Sequence, residues 1–429
     1  MKVLFLEIDT DQPWALASVG PAFIGAFLRR HGHEVSLLRV SPDQPLAAIL
    51  ADVRREAPDL LGLSLTTRQW LRARQIVREL RLALDVPIIA GGLHPTFAPE
   101  AVLAAEGFDA VCLGEGEEAM LDLLSALGRG ERIEALQIQN LWVKGRARPV
   151  LRPPIASLDG LPFMARDLAD EQPGIIHACT QRGCPFPCTY CGARTLQDLY
   201  QGSYDGRRRT SRNVLDELLA LRAQGPMHYV IFLDDTFTIQ KDWVREFCRL
   251  YRRDLGTAFS IHARIETVNA EMLKDLSEAG CRHIVYGVES GSERVRRDIL
   301  KRPVENARII EVFRRTKETG ILATANYMFG LPGETAAEIE QTLALNEELQ
   351  PGDFGFFVYY PYPGTHLFAV CQAGGYLPEN HLEQPADHRQ SILTLPDLKP
   401  ADMDQFYQRF AAARERLYAK QYGGSLGLR

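Results

Sequence analysis

Three cysteines lie close together on one short stretch of the chain, Cys184-Pro-Phe-Pro-Cys188-Thr-Tyr-Cys191. A four-iron, four-sulfur cluster normally takes four cysteine thiolates. A loop that offers three of them leaves one iron open to a ligand from outside the protein. The spacing therefore predicts a cluster bound by Cys184, Cys188 and Cys191, with chemistry at the open iron.

Two other uses of these cysteines need to be weighed. A structural zinc site requires four ligands in a closed tetrahedron, and Cys179 or a histidine would have to supply the fourth. Cys179 follows the apolar run 174–178, so it is expected to end a strand rather than to bind metal. A disulfide framework is disfavoured because eight cysteines in 429 residues is a low density, and five lie outside the triplet.

Composition excludes several classes of protein. Hydrophobic residues make up 46% and charged residues 24% of the chain, and no apolar run approaches the roughly 20 residues that span a bilayer. The net charge of −6 gives no general attraction to nucleic acid or anionic lipid. Arg207-Arg208-Arg209 is the one dense basic run and is interpreted as a solvated loop. Free cysteines and an oxygen-sensitive cluster favour the reducing cytoplasm.

The first third of the chain alternates apolar, β-rich runs with amphipathic helical stretches. Five such units in series predict an α/β domain with a doubly wound, flavodoxin-like parallel sheet. Ligands of such a sheet bind at the carboxyl ends of its strands, where this chain has glycine-containing loops. The predicted strands are 3–8, 34–40, 60–65, 87–90 and 110–113, and the loops are 9–20, 64–70, 91–96 and 114–117.

A hairpin is expected around 141–150, followed by a connector, and then a second alternating series begins. Six βα repeats favour a partial (β/α)6 barrel in which the three cysteines directly follow the first strand. The C-terminal segment is expected to be a loop and then an amphipathic helix from about Pro400 to Tyr422. The predicted strands are 174–179, 229–233, 259–263, 283–287, 323–329 and 354–359, and the predicted boundaries are 1–145 for the first domain, 146–170 for a linker, 171–376 for the barrel and 377–429 for a short helical tail.

The cysteine spacing, with Gly183 before the first cysteine and Tyr190 before the last, resembles that of the radical S-adenosylmethionine (radical SAM) superfamily. The resemblance implies that the amino and carboxylate groups of S-adenosylmethionine occupy the open iron. An electron from the cluster would then cleave the sulfonium and release a 5'-deoxyadenosyl radical. It also implies that the second series is the radical SAM barrel.

The loops of the N-terminal domain resemble those of cobalamin-binding domains in the cobalamin-dependent radical SAM family. Gly91-Gly92-x-His94-x-Thr96 and Gly114-Glu115-Gly116-Glu117 match its GG-x-H-x-T and GEGE loops, and Ser64 lies 27 residues before Gly91. The resemblance implies that the slot for the cobalamin nucleotide tail is lined by Ser64, Gly91, Gly92, Gly114 and Gly116. It places His94 and Glu115 in the same cofactor-binding loops, with a loop-shaping role for His94.

One departure concerns the lower ligand of cobalt. Many cobalamin domains carry Asp-x-His-x-x-Gly after the first strand, whereas this chain has Asp9-Thr10-Asp11-Gln12-Pro13-Trp14. No histidine lower ligand is therefore expected, and the lower face would be left to water or to a packed side chain. The candidates are Gln12, Trp14, Arg68 and Trp70. The alternative is a degenerate domain that no longer binds cobalamin.

In the barrel, the resemblance assigns cofactor contacts to the ends of successive strands. Asp234 and Asp235 are expected to receive the ammonium group of S-adenosylmethionine, and Arg264 to bind its carboxylate. Glu289 is expected at the ribose hydroxyls. The loops with Gly330 and Pro332, and 361–365, are expected near the adenine and the barrel mouth, and Tyr190 completes the predicted cofactor-binding residues.

These assignments predict an enzyme that methylates an unactivated carbon of a small metabolite or natural-product intermediate. The cofactors would be a 4Fe-4S cluster, S-adenosylmethionine and cobalamin. An electron donor such as flavodoxin or ferredoxin is expected as a partner, whereas nucleic acid and membranes are not. Two alternatives stay open, namely cyclisation or rearrangement without methyl transfer, and a cobalamin or iron-sulfur sensor without catalysis.

Overall fold

The structure is a computed structural model that describes residues 1–9, 18–169 and 173–422. The chain forms two compact units. The first comprises Met1–Glu171 together with Asp198–Ser203, and the second comprises Gln172–Gln197 and Tyr204–Arg429. Within the described ranges, no helix is both long and apolar enough to cross a membrane.

The first unit is built on a six-stranded sheet with the order β2-β1-β3-β4-β5-β6. The first five strands are parallel, and their order is that of a flavodoxin-like sheet. Because helices cover both faces, the strands are nearly continuous apolar runs such as Leu60–Ser64. The strands are β1 (Lys2–Ile8), β2 (Glu34–Val40), β3 (Leu60–Ser64), β4 (Ile88–Gly91), β5 (Ala110–Cys112) and β6 (Leu141–Val143), and the helices are α1 (Val19–Arg30), α2 (Leu46–Glu56), α3 (Trp70–Ala83), α4 (Leu93–Phe97), α5 (Pro99–Ala104) and α6 (Glu117–Gly128).

The predicted hairpin at 141–150 is wrong. Only Leu141–Val143 forms a strand there, and it pairs antiparallel with β5 rather than with the residues that follow it. Leu141 and Val143 are both 2% exposed, since they complete the edge of the sheet. The alternation of apolar residues was sufficient to predict a strand but not its partner, which is set by the existing edge of the sheet.

The second unit contains a parallel six-stranded sheet with the order β14-β13-β12-β11-β10-β7, which is the strand order of the predicted partial barrel. Each strand predicted in either series is present with ends shifted by two residues at most. The strands are β7 (Ile175–Ala178), β8 (Gln181–Gly183), β9 (Asp205–Arg208), β10 (Tyr229–Phe232), β11 (Ala258–Ala263), β12 (Cys281–Glu289), β13 (Leu322–Phe329) and β14 (Asp353–Val358). The helices are α7 (Gly192–Leu199, which ends in the first unit), α8 (Ser211–Gln224), α9 (Lys241–Asp254), α10 (Ala270–Ala279), α11 (Asn306–Glu318), α12 (Ala336–Leu349), α13 (His366–Ala373) and α14 (Pro400–Tyr422).

The C-terminal helix α14 covers the last two strands of this sheet. Phe410 stacks on Phe329 and Phe356, with ring centroids 5.1 and 5.5 Å apart. Arg414 donates two parallel hydrogen bonds of 2.9 Å to the carboxylate of Asp353 at the start of β14. The helix thereby buries the outer face of an edge strand that would otherwise expose its aromatic side chains to water.

The interpretation of Arg207-Arg208-Arg209 as a solvated loop is wrong. Arg207 and Arg208 belong to β9, which forms a two-stranded antiparallel ribbon with β8. Arg208 stacks on Trp243, 4.2 Å from the ring centroid. Arg209 forms an ion pair of 2.6 Å with Glu217, and their side chains are only 5% and 2% exposed. Composition could not distinguish this ribbon from a loop because the partners lie on α8 and α9.

The buried ion pair between Arg209 and Glu217 yields a stability prediction. Replacing Glu217 by Met removes the carboxylate that faces the buried guanidinium, which should lower the free energy of unfolding by about 3 kcal/mol. The neighbouring pair Arg212–Asp216 is 53% and 48% exposed, so Asp216→Asn should lower the free energy of unfolding much less. Urea unfolding of the two variants, followed by circular dichroism and tryptophan fluorescence, measures the difference. If Glu217→Met and Asp216→Asn lowered the free energy of unfolding equally, the assignment of Arg209–Glu217 as a stabilising buried ion pair would be wrong.

Candidate active site

The loop with the three cysteines begins directly after β8, and an aspartate at the end of β10 holds the chain that leads into it. The carboxylate of Asp234 accepts hydrogen bonds of 2.7 Å from the backbone N–H groups of Thr180 and Gln181, and one of 3.1 Å from the Thr180 hydroxyl. Burial raises the pKa of Asp234 to about 6. The carboxylate of Asp234 therefore holds the backbone of Thr180 and Gln181, just before the three cysteines.

Gly183 sets the direction in which the chain enters the loop. Its φ is +91°, and a Cβ atom there would lie 2.5 Å from the carbonyl oxygen of Tyr204. Only glycine allows the two strands of the β8–β9 ribbon to approach this closely. At the other end of the loop, Thr189 donates a 2.6 Å hydrogen bond to the carbonyl of Ile299. Both ends of the loop are therefore attached to the barrel.

The three cysteines line a cavity of about 190 Å³ at the carboxyl ends of the barrel strands. Cys184 and Cys188 are 7% and 5% exposed. Four charged side chains from three strand ends and one following loop share the cavity wall with them. The lining residues are Cys184, Phe186, Cys188, Tyr190, Cys191, Ala193, Asp235, Thr236, His262, Ala263, Arg264, Val285, Gly287, Glu289, Arg302 and Asn326.

The donor set fits an iron-sulfur cluster. Burial raises the pKa of the Cys184 thiol and raises that of Cys191 to about 12, so these sulfurs are protonated until a metal replaces the proton. Across the described ranges, no three His, Cys, Asp or Glu side chains converge as ligands of a single ion. A four-iron cluster does not require such convergence, because each thiolate binds a different iron.

The structure separates the two neighbouring aspartates that the sequence grouped together. Asp235 lines the cavity, whereas Asp234 does not. Burial raises the pKa of Asp235, and a bound ammonium group would offset that effect by supplying an opposite charge. The predicted contact with the ammonium group of S-adenosylmethionine is geometrically open to Asp235 alone.

Arg264 leaves β11 and is buried in the cavity wall, with 5% of its surface exposed. Its Nη1 donates a hydrogen bond of 2.9 Å to the sulfur of Cys188, and its Nη2 one of 2.5 Å to Glu266. The guanidinium lies over the ring of Phe186, 3.9 Å from the centroid. Its side chain is therefore held by three partners that belong to the protein.

Glu289 is held in a network that the sequence did not predict. It is a non-glycine residue with a φ of +72°, and its carboxylate accepts a 2.8 Å hydrogen bond from the hydroxyl of Tyr190. Arg302 lies 3.3 Å from Glu289 and 3.0 Å from the Tyr190 hydroxyl, and it donates to the carbonyl of Gly287 at 2.7 Å. Arg302 fixes the carboxylate at the cavity.

Arg302 was missed because it lies 13 residues beyond Glu289, after a π-helical turn, rather than at a strand end. His262 and Asn326 were also missed, although both line the cavity. The period of two along β11 and β13 contains a usable signal, because these polar residues occupy inward-facing positions of otherwise apolar strands.

Gly330 and Pro332 do not line this cavity. Their loop is fixed from within by the buried Glu334, whose carboxylate accepts hydrogen bonds from the backbone N–H groups of Gly330 and Leu331 at 2.8 and 3.1 Å. Burial raises the pKa of Glu334 to about 8. A contact of this loop with adenine remains a prediction.

The first unit has its own cavity, a narrow slot of about 40 Å³ at the carboxyl ends of β3, β4 and β5. All five residues that the sequence assigned to the slot line it, namely Ser64, Gly91, Gly92, Gly114 and Gly116. A Cβ on Gly91 would meet nothing nearer than Cys112 at 3.7 Å, so a longer side chain there would fill the slot.

The slot fits a flat group that approaches the backbone closely. The slot is smaller than a heteroaromatic base, so it would have to widen to admit one. The side chains of Ile24 and Met120 line it. The unbranched side chain of Met120 can turn aside to admit a ligand. Tyr200 lies against the Gly114 loop, since its hydroxyl accepts a 2.9 Å hydrogen bond from the N–H of Glu115 and lies 2.0 Å from where a Cβ on Gly114 would be.

His94 and Glu115 lie beside the slot without lining it. His94 is 1% exposed, its Nδ1 lies 3.1 Å from the Thr67 hydroxyl, and burial lowers its pKa to about 4. Glu115 accepts a 2.7 Å hydrogen bond from the N–H of Ile155. Both side chains are placed to shape the loops around the slot.

Of the four candidates for the lower face of cobalt, Gln12 and Trp14 lie outside the described residues. Trp70 is 2% exposed and packs against His94 and Phe108 in the hydrophobic core, so it is unsuited to cover a cofactor. Arg68 lies on the 3-10 turn Thr67–Gln69.

Comparison with known proteins agrees with the two sites. Residues 179–345 match the radical SAM superfamily, and residues 15–124 match the B12 binding domain. An uncharacterized methyltransferase of Pyrococcus horikoshii is 27% identical over 395 residues, which cover 88% of this chain and 84% of the relative. The anaerobic magnesium-protoporphyrin IX monomethyl ester cyclase of Rubrivivax gelatinosus is 28% identical over 86% of this chain and 69% of its own.

Among solved structures, the radical S-adenosylmethionine methyltransferase TsrM of Kitasatospora setae, with tryptophan and an S-adenosylmethionine analogue bound, has the same fold. Its TM-score is 0.73 at 18% identity, and the match covers 96% of this chain and 89% of TsrM. A further structure of TsrM contains cobalamin and a [4Fe-4S] cluster. The chain therefore combines a radical SAM domain with a B12 binding domain, the combination of the cobalamin-dependent radical SAM family, and this supports a [4Fe-4S] cluster, S-adenosylmethionine and cobalamin as its cofactors.

Proposed function

We propose that this enzyme transfers a methyl group to an unactivated carbon of a small molecule. The observation that carries the proposal is that one chain holds a three-cysteine cavity with charged walls and a glycine-lined slot in a B12 binding domain. The methyltransferase names of the Pyrococcus relative and of TsrM support methyl transfer.

The residues of the two cavities have different roles in the proposed methyl transfer. When bound, the cluster and S-adenosylmethionine supply radical chemistry, and cobalamin carries the methyl group. Cys184, Cys188 and Cys191 would hold the cluster to which S-adenosylmethionine binds. Asp235 receives its ammonium group, and Glu289, oriented by Tyr190 and Arg302, accepts hydrogen bonds from its ribose hydroxyls. Burial of Cys184, Cys188 and Arg302 limits the access of water to this side of the cavity.

The substrate we propose is a small metabolite or natural-product intermediate. The net charge of −6 does not favour a polyanionic nucleic acid. A low-potential electron donor, such as flavodoxin or ferredoxin, is proposed as the protein partner. The degenerate-domain alternative is disfavoured because all five predicted slot residues line one cavity.

A second function is oxidative cyclisation without methyl transfer. The cyclase of Rubrivivax gelatinosus favours it, because that relative is as similar to this chain as the Pyrococcus methyltransferase is. A sensor without catalysis predicts no deoxyadenosine when the reduced protein meets S-adenosylmethionine.

Product labelling tests the proposed function. Candidate small molecules are incubated with the reduced, cobalamin-loaded enzyme and S-adenosylmethionine that carries a trideuterated methyl group. Methylation predicts a product heavier by the labelled methyl group. An unlabelled product formed together with deoxyadenosine would support cyclisation instead, and the absence of deoxyadenosine under all conditions would support a sensor.

The cysteine assignment predicts the effect of single replacements. Cys184→Ala, Cys188→Ala and Cys191→Ala should each abolish the cluster, because two thiolates do not retain a four-iron cluster. Iron content and visible absorbance after anaerobic reconstitution measure this loss. Cys179→Ala is the matched control and should retain the cluster. Loss of the cluster in that variant would show that the ligand set is wrong.

The slot predicts a selective effect on cobalamin. Gly91→Leu should weaken cobalamin binding more than about tenfold, equivalent to ~1.4 kcal/mol, because its side chain would fill the slot. Gly91 is a better test than Gly92, whose Cβ would lie 2.8 Å from the backbone of Leu65 and disturb the loop itself. Gly160→Leu is the control, since a Cβ there meets no atom within 4 Å. Equilibrium dialysis with hydroxocobalamin measures binding, and the iron content should stay unchanged in both variants.

A further inference from the structure

The side chain of Arg264 is directed toward a cysteine of the cluster loop. Its Nη1 donates to the sulfur of Cys188 at 2.9 Å, and its Nη2 donates to Glu266 at 2.5 Å. Phe186, from the same loop, lies under the plane of the guanidinium. Stacking and the ion pair together determine where the planar fork of the arginine points.

This arrangement conflicts with the carboxylate-binding role that the sequence indicated. Arginine binds a carboxylate best through two parallel N–H groups. Both terminal nitrogens of Arg264 already have protein partners, and its Nε is buried without one. A guanidinium carries more N–H groups than these contacts use, but any two-pronged contact with a ligand would have to be made in the direction that Cys188, Glu266 and Phe186 already fix.

We infer that Arg264 acts on the cluster rather than on the carboxylate of S-adenosylmethionine. Once iron replaces its proton, Cys188 is a thiolate, and the contact becomes a charge-assisted N–H···S hydrogen bond. Reduction adds one electron from the electron donor to the cluster, with no bond broken and no proton required, and it increases the negative charge on the sulfurs. A cationic donor stabilises the reduced form more than the oxidised form, so Arg264 raises the reduction potential.

Arg302 provides a matched control for this inference. It is a buried cation of the same cavity, with an exposure of 5% like that of Arg264. Its hydrogen bonds go to Tyr190, Glu289 and the carbonyl of Gly287. Replacement of either arginine removes one positive charge near the cluster, but only replacement of Arg264 removes the hydrogen bond to Cys188.

The experiment is a redox titration of the reconstituted full-length protein without S-adenosylmethionine. The reduced cluster is followed by electron paramagnetic resonance in the wild type, Arg264→Met, Arg264→Lys and Arg302→Met. The midpoint potential should be most negative in Arg264→Met and should shift less in Arg302→Met. The midpoint potential of Arg264→Lys, whose side chain keeps the positive charge but is shorter, should lie between those of the wild type and Arg264→Met. The affinity for S-adenosylmethionine, measured by equilibrium dialysis, should fall by no more than about threefold in Arg264→Met.

The inference rests on the proposed cluster, and the outcomes separate the two. If wild-type protein assembles no cluster, the proposed function fails. If clusters assemble but Arg264→Met and Arg302→Met shift the potential equally, the hydrogen bond has no role and the inference is wrong. If Arg264→Met left the midpoint potential unchanged but greatly lowered the affinity for S-adenosylmethionine, Arg264 would instead bind the carboxylate of S-adenosylmethionine. If Arg264→Met assembles no cluster, Glu266→Gln, which loosens the arginine without removing it, should shift the potential in the same direction.

Discussion

The carboxylate of Asp234 is the contact on which the barrel site depends. It binds two backbone N–H groups and one hydroxyl just before the β8–β9 ribbon, and therefore determines where the chain turns into the three cysteines. A charged group in this position is costly to bury, and the raised pKa of Asp234 reflects that cost. Three hydrogen bonds to the ionised form offset it. A neutral asparagine could not accept all three with equal strength.

The same logic distinguishes the buried charges of the cavity from one another. Glu289 and Arg302 satisfy each other and Tyr190, so they form a rigid wall before any cofactor is bound. The side chain of Asp235 lines the same cavity outside this network and is exposed. A preformed wall beside an accessible carboxylate is suited to a cationic ligand, because the carboxylate offers that ligand an opposite charge.

Much of this architecture could be predicted from the sequence, because apolar strands, glycine loops and cysteine spacing are local signals. The eleven main parallel strands were found in this way, whereas the five slot residues came from the resemblance of the glycine loops to those of cobalamin-binding domains. The failures share a physical origin. The pairing of β6 with β5, the β8–β9 ribbon and the burial of Arg209 depend on partners distant in sequence. Asp234 and Asp235 carry the same charge, and only the direction of each side chain separates their roles.

Arg264 and Arg302 show how two cations in one radical SAM cavity can have different roles. Both arginines are buried beside the cysteines, yet Arg264 donates to a cysteine sulfur, whereas Arg302 donates to Glu289 and Tyr190. A cation that contacts the cluster changes its reduction potential, whereas a cation that orients Glu289 changes the position of S-adenosylmethionine. These two requirements differ, since the first depends on charge next to sulfur and the second on geometry. Two separately anchored arginines allow each property to be set without changing the other.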